Sequence, residues 1–124
     1  MPVIAVPVAP THELGGTRFT SLATPSSGST DLSVWQVEIQ PGTPSTPHRL
    51  TRDEVFVLLA GRALVRIDGH DAVASVGDIV VVPPDVDFEI TAAAGEPLRA
   101  LCCLPVGGQA VVAGGDAFTP PWAQ

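Results

Sequence analysis

Apolar and polar residues alternate along the most regular stretch of the chain, LSVWQVEIQ at residues 32–40. Trp35, Val37 and Ile39 share one face of this segment, and glutamine and glutamate side chains share the other face. A period of two residues is that of a β-strand. We therefore expect the tryptophan face to look into the interior of a barrel and the polar face to look to solvent. No segment of useful length has the period of an α-helix.

Short apolar runs separated by glycine and proline continue along the rest of the chain. Turns are expected at residues 68–71, 77–78 and 83–85. About ten short strands at this spacing are typical of a double-sheet jelly-roll β-barrel, so an all-β fold is predicted. The expected strands are residues 17–23, 32–40, 54–59, 63–67, 72–76, 79–82, 86–91, 98–105 and 109–113.

The ends of the chain differ from its middle. We interpret residues 1–124 as one domain without internal repeats. Residues 1–16 are expected to form an extended N-terminal arm, which suits an edge strand or a segment laid across a neighbouring subunit. Residues 114–124 form a proline-rich tail, in which Trp122 is expected to dock on the domain or on a partner subunit.

Composition and charge exclude several classes of function. Hydrophobic residues make up 45% of the chain and charged residues 15%, which excludes general disorder. The formal net charge is −7 and the six basic residues are isolated arginines, so nucleic acid and anionic membranes are disfavoured as partners. The apolar runs are too short to cross a bilayer and no signal peptide is visible, so a cytoplasmic location is expected.

The residue types that are missing are also informative. The chain contains no lysine, asparagine or tyrosine. All three are encoded by AT-rich codons, which suggests a GC-rich bacterial genome. Schiff-base chemistry by lysine and acid catalysis by tyrosine are excluded with them.

Cys102 and Cys103 are adjacent in an expected strand, so their side chains should point to opposite faces. A disulfide between them would be strained. Two cysteines without framework spacing favour a reducing cytoplasm. We interpret them as small buried hydrophobic residues, and which one faces the interior stays open.

The candidate chemistry lies in PGTPSTPHRLTRDEVFVLLAG, residues 41–61. Its spacing is Gly42, five residues, His48, one residue, Leu50, three residues, Glu54, six residues and Gly61. This spacing resembles the first motif of the cupin family, G-x5-H-x-H-x3-E-x6-G, with leucine in place of the second histidine.

A second stretch, GDIVVVPPDVDFEITA at residues 77–92, resembles the second cupin motif, G-x5-P-x-G-x2-H-x3-N. Gly77 and Pro83 match this motif. Asp85 replaces its glycine, Phe88 its histidine, and alanine stands at the position of its asparagine. The resemblance spans residues 30–106 and implies the cupin jelly-roll barrel.

The resemblance also implies an incomplete metal site. Cupins hold their metal with three histidines and one glutamate, and only His48 and Glu54 of this set are present. Two side chains rarely hold a divalent ion tightly. We therefore expect no resident cofactor, and in the alternative a divalent Mn, Fe, Ni or Zn ion would use His48 and Glu54. His12 lies in the N-terminal arm and His70 in an expected turn, so neither is expected to replace a missing metal ligand.

Strand alternation places His48 and Leu50 on one inward face, and Glu54 with Phe56 and Leu58 on another. An acid and an imidazole facing one apolar cavity would perturb each other's pKa, and such a pair could shuttle a proton or could be a buried ion pair without chemistry. Arg49 and Arg52 lie at the cavity mouth or are solvated on the surface. The residues expected to contact a small-molecule substrate are Trp35, Val37, Leu50, Phe56, Leu58, Phe88 and Ile90.

Three functions remain open at this stage. The first is a metal-independent enzyme of isomerase, lyase or cyclase type, in which His48 is the acid or base and Glu54 orients it or relays its proton. The second is a metal-dependent oxygenase or isomerase with an atypical ligand set. The third is a non-catalytic ligand-binding or sensor barrel. The extended arm is consistent with a homodimer.

Overall fold

The computed structural model describes residues 3–124 of the chain. Two three-residue 3₁₀ turns, Pro25–Ser27 and Pro121–Ala123, accompany the strands. Within the described residues the strands are β1 (His12–Leu14), β2 (Thr17–Ala23), β3 (Leu32–Ile39), β4 (His48–Leu50), β5 (Glu54–Ala60), β6 (Ala63–Ile67), β7 (His70–Ala74), β8 (Ile79–Val82), β9 (Phe88–Ala92), β10 (Leu98–Pro105) and β11 (Ala110–Val112).

The strands form two antiparallel sheets that face each other. The first sheet has the order β1-β2-β3-β10-β5-β8, and the second has the order β11-β4-β9-β6-β7. Neighbours in each sheet are often far apart in the chain, as in a jelly roll. The predicted all-β, double-sheet fold is confirmed. No helix within residues 3–124 is long and apolar enough to cross a membrane.

The alternation of LSVWQVEIQ is confirmed in β3. Trp35, Val37 and Ile39 are buried between the sheets. The opposite face is half-buried rather than solvated, because β3 lies between β2 and β10 in the middle of its sheet.

Some strand boundaries differ from the expected ones. β4 is a short strand outside the expected set, and β1 lies within the expected arm, at the edge of its sheet. β7 begins at His70, because the turn before it needs only Asp68 and Gly69, which both have positive φ. β9 begins at Phe88 rather than at residue 86, since Asp85 (φ 63°) still belongs to a turn.

A close backbone approach fixes one of the motif positions. Gly61 has a φ of 74°, and a Cβ atom there would lie 2.4 Å from the carbonyl oxygen of Pro97. Only glycine fits this contact between the end of β5 and the start of β10. Next to this contact β5 pairs with β10, with a shift of register between Arg99 and Ala100.

The N-terminal arm is largely exposed, whereas the C-terminal tail packs on the domain. Residues 1 and 2 of the expected arm lie outside the described residues, and residues 3–6 and 8–10 are exposed. The end of the arm forms the edge strand β1, paired with β2. The tail docks on its own domain: the hydroxyls of Ser21, Ser26 and Ser33 donate hydrogen bonds to the carbonyl oxygens of residues 122, 124 and 123, at 2.7, 2.9 and 2.6 Å.

Candidate functional site

A cavity of about 220 Å³ lies between the two sheets. Its wall is mostly apolar, with a few polar side chains. The structure brings the predicted site residues together in this wall, with one exception. Those that line the cavity are Trp35, Val37, His48, Leu50, Glu54, Phe56, Phe88 and Ile90.

The exception is Leu58, which does not line the cavity. Its side chain is 1% exposed and its neighbour across the sheet is Ala100 of β10. Strand alternation correctly turns Leu58 inward, but two residues beyond Phe56 the space between the sheets is filled by core side chains. Leu58 is therefore a core residue next to the cavity rather than part of its wall.

Glu54 is an isolated acid in this apolar wall. It is the first residue of β5, and its side chain is only 4% exposed. Burial without a compensating charge or hydrogen bond from the described residues raises the pKa of Glu54 to about 8. At pH 7 the carboxyl group is therefore predominantly protonated, and its O–H is a hydrogen-bond donor.

His48 is held in one tautomer by the backbone. Its Nδ1 lies 2.8 Å from the carbonyl oxygen of Thr46. Because a carbonyl oxygen can only accept, Nδ1 carries the proton, and the neutral ring has its lone pair on Nε2. Burial lowers the pKa of His48, and the hydrogen bond to Thr46 offsets this only in part. The imidazole is therefore neutral at pH 7.

The expected coupling of His48 to Glu54 is not observed. Within residues 3–124 the ion pairs join arginines to carboxylates, and none joins these two residues. Thr46, rather than Glu54, orients the imidazole. Each group is perturbed mainly by its own burial, so the two are separate acid and base groups in one cavity.

Arginine does not contribute to the cavity wall. The Nε of Arg49 donates a hydrogen bond of 2.7 Å to the carboxylate of Asp87 in an exposed ion pair. Arg52 is exposed to solvent. Of the two alternatives for these arginines, the structure places both side chains on the surface.

The side chains in the cavity do not fit a tightly held metal ion. Among the described residues no three histidine, cysteine, aspartate or glutamate side chains are grouped to hold one. Leu50 and Phe88, at two motif positions for histidine, are buried and have no donor atom. His12 pairs edge-on with Trp122 at 6.5 Å, and His70 is exposed at the start of β7.

Both cysteines are free thiols, and their side chains are on opposite faces of β10 as expected. Cys102 is buried and lines the cavity, whereas Cys103 is half-buried on the other face. Burial and the nearby Glu54 raise the pKa of the Cys102 thiol well above its usual range. Cys102 is therefore a neutral, weakly polar part of the wall.

Several residues of the wall were not among the expected site residues. Phe118, Pro120 and Trp122 come from the tail, and the ring of Trp122 stacks on Phe19 at 3.6 Å with an angle of 5° between their planes. Their only signal in the sequence was the aromatic side chain of Trp122 in a proline-rich segment. The other additional residues of the wall are Leu14, Thr17, Phe19, Thr43, Pro44, Thr46, Cys102, Ala110 and Val112, and Ile39 lines it on the face of β3 that was expected to point inward.

Comparisons with known proteins agree with this architecture. A family model described as a cupin domain matches residues 35–104. An uncharacterized protein of Methanocaldococcus jannaschii is 28% identical over 72 residues, which are 57% of this chain and 58% of the relative. The chain thus spans less than two thirds of that relative's length.

Two solved structures are similar in fold. KdgF from Halomonas sp. has a TM-score of 0.63 at 24% identity, over 73% of this chain and 79% of the other. A mutant of salicylate 1,2-dioxygenase from Pseudoaminobacter salicylatoxidans, in complex with gentisate, has a TM-score of 0.68 at 17% identity. That match covers 81% of this chain and 30% of the dioxygenase. At these identities the likeness shows the fold alone.

Proposed function

Since this chain belongs to the cupin family, we propose that it is a metal-independent enzyme that moves a proton on a small molecule bound in the cavity. The reaction is of the isomerase, lyase or cyclase type. One observation carries the proposal: burial displaces the pKa of His48 downward and that of Glu54 upward, to about 8, in the same cavity. Between these pKa values a neutral base and a protonated acid coexist.

The roles follow from the protonation states. The free Nε2 of His48 takes a proton from a carbon next to a carbonyl group, and the carbonyl oxygen of Thr46 stabilises the imidazolium that forms. The O–H of Glu54 donates a hydrogen bond to the oxygen on which negative charge develops. Return of the proton to another atom of the substrate completes an isomerisation, and loss of a leaving group completes an elimination.

The residues that replace histidine support the same chemistry. Leu50 and Phe88 are buried apolar residues of the same wall as His48 and Glu54, and the ring of Phe88 packs on that of His48. A hydrogen bond from Glu54 to a developing oxyanion is stronger in such surroundings than in water.

Proton transfer can be tested without the natural substrate. Small ketones such as acetone are incubated with the enzyme in D₂O, and exchange at the carbon next to the carbonyl is followed by ¹H NMR. We expect His48→Ala to slow exchange by about 100-fold or more, with His70→Ala at an exposed position as the matched control. The proposal is contradicted if wild type and His48→Ala exchange at the same rate, or if none of the small ketones exchanges.

The two alternative functions have different signatures. A metal-dependent oxygenase or isomerase requires donors beyond His48 and Glu54, and its expected sign is near-stoichiometric metal in freshly purified protein that disappears in His48→Ala. A ligand-binding barrel predicts thermal stabilisation by a bound small molecule without proton exchange. Elemental analysis and the exchange assay together separate all three.

A further inference from the structure

Every phenylalanine and tryptophan of the chain lines the same cavity. The chain has four phenylalanines, two tryptophans and no tyrosine. The most deeply buried core side chains outside the cavity, such as Leu58, Leu98, Val82 and Leu104, are aliphatic. Bulk alone does not explain this segregation, because the aliphatic part of the core packs without a single aromatic ring. The six side chains are Phe19, Trp35, Phe56, Phe88, Phe118 and Trp122.

The rings come from different parts of the fold and surround the cavity. Phe19 and Trp122 form a parallel stack. On the opposite sheet Phe88 is in contact with two rings, that of His48 at 4.2 Å and that of Phe56 at 5.9 Å with an angle of 62°. A flat ligand ring between these groups would meet both ring faces and ring edges, the arrangements that aromatic pairs prefer.

Charge and volume restrict the ligand further. None of the described residues that line the cavity is arginine, and the chain has no lysine. An anionic ligand would lose its hydration here without gaining a counter-ion. The volume of about 220 Å³ is below that of a pocket for drug-sized ligands. An apolar cavity of about 150 Å³ is known to hold benzene, so one substituted ring fits.

We propose that the substrate is a single planar, uncharged six-membered ring that carries a carbonyl group. The ring lies between the Phe19–Trp122 stack and Phe88, and the carbonyl oxygen accepts a hydrogen bond from Glu54. The ring assignment rests on the aromatic wall. The assignment of a carbonyl group to the substrate rests on the proposed function, which requires an oxygen that gains negative charge.

Ligand binding in the cavity can be followed by tryptophan fluorescence. Because Trp35 and Trp122 both line the cavity, intrinsic fluorescence monitors its occupancy. We would titrate the full chain with acetophenone and with cyclohexyl methyl ketone, which have the same carbonyl and nearly the same size. Benzoate, benzyltrimethylammonium and 2-acetylnaphthalene test the exclusion of an anion, a cation and a second ring. We expect acetophenone to bind about tenfold more tightly than the saturated ketone, and the other three probes to bind more weakly than acetophenone.

A variant assigns this preference to the wall. Trp122→Leu keeps an apolar group but removes the ring, and is expected to lower the preference for acetophenone several-fold, whereas Trp122→Phe retains most of it. Circular dichroism checks that both variants are folded. If Trp122→Leu leaves the preference for acetophenone unchanged, the aromatic wall does not select an aromatic ligand.

The outcomes separate the substrate class from the proposed function. Equal affinity for the aromatic and saturated ketones, or tighter binding of the ammonium or naphthyl probe, overturns the substrate class even if both ketones exchange deuterium. Selective binding of acetophenone without exchange of its methyl protons supports an aromatic-ring site and contradicts the proton-transfer function.

Discussion

Phe88 lies directly opposite His48 where β9 pairs with β4, and the two rings are 4.2 Å apart at an angle of 54° between their planes. Phe88 stands at a position where the cupin motif has a histidine. The residue that removes a metal donor is therefore the same residue that packs on the remaining imidazole. Its apolar ring contributes to the burial that lowers the pKa of His48, so the residue at this motif position favours the neutral form of the imidazole.

The rate of proton exchange should depend on pH with two limbs. Exchange should fall in acid as His48 is protonated, below the usual pKa of a histidine, and in alkali above about pH 8 as Glu54 ionises. Glu54→Gln keeps a neutral hydrogen-bond donor, so it should retain part of the activity and lose the alkaline limb. The measurement is the NMR exchange rate from pH 5 to 10. If the fall in rate above about pH 8 persists in Glu54→Gln, it is due to the ionisation of a group other than Glu54.

Glu54 should also make stability depend on pH. Its folded-state pKa of about 8 is above the usual value of 4.5, so between these values the folded state binds a proton that the unfolded state has lost. The free energy of unfolding should therefore fall with rising pH across this window, by up to about 1.4 kcal/mol per pH unit. Urea denaturation at pH 7 and pH 8 measures it, because below the usual pKa of histidine the lowered pKa of His48 adds a slope of opposite sign. Glu54→Gln should remove this slope, and Glu96→Gln at an exposed position should not.

A single substitution should rebuild a metal site. Leu50 is two residues from His48 on β4 and also lines the cavity, so Leu50→His should provide a third donor beside His48 and Glu54. We expect calorimetry to show that Zn²⁺ or Ni²⁺ binds this variant. Burying the polar histidine ring should lower the free energy of unfolding by roughly 1–3 kcal/mol, and metal binding should offset this loss. Ile90→His, at a position the motif does not use, is the control. Metal uptake that survives Leu50→His combined with His48→Ala would contradict the site.

The homodimer expected from the extended arm has a candidate surface on the outer face of the first sheet. Val81 and Ile79 on the edge strand β8 are 55% and 63% exposed and pair with Val55 and Val57 of β5. A contiguous apolar face of this kind is typical of an interface between subunits. We expect a dimer in light scattering after gel filtration, and a monomer for Val81→Asp.

Val73→Asp, on the outer face of the second sheet, is the matched control for this prediction. It is expected to remain dimeric, because its neighbours across β6 and β7 include the exposed Arg66–Asp71 ion pair. A monomeric wild type, or a dimer in both variants, would exclude the β8 face as the contact.

Local pattern was sufficient for the part of the site that lies on regular strands. Trp35, Val37 and Phe56 follow from period-two alternation, and His48 and Glu54 from motif spacing. Alternation gives the direction of a side chain but not the depth of the cavity, which is why Leu58 points inward without lining it. Phe118 and Trp122 reach the site by docking of the tail, which depends on contacts with residues distant in sequence.

The pairing of β3 with β10 runs from Leu32 opposite Pro105 to Ile39 opposite Leu98, and β4 pairs with β11. Strands this distant in sequence meet only after long loops have closed, which makes folding slow. Both partners of each pairing contribute to the cavity, so affinity for a ligand should emerge in the last kinetic phase of refolding. A bound ligand should then act mainly by slowing unfolding, and it would protect the protein in proportion to the time that the cavity is occupied.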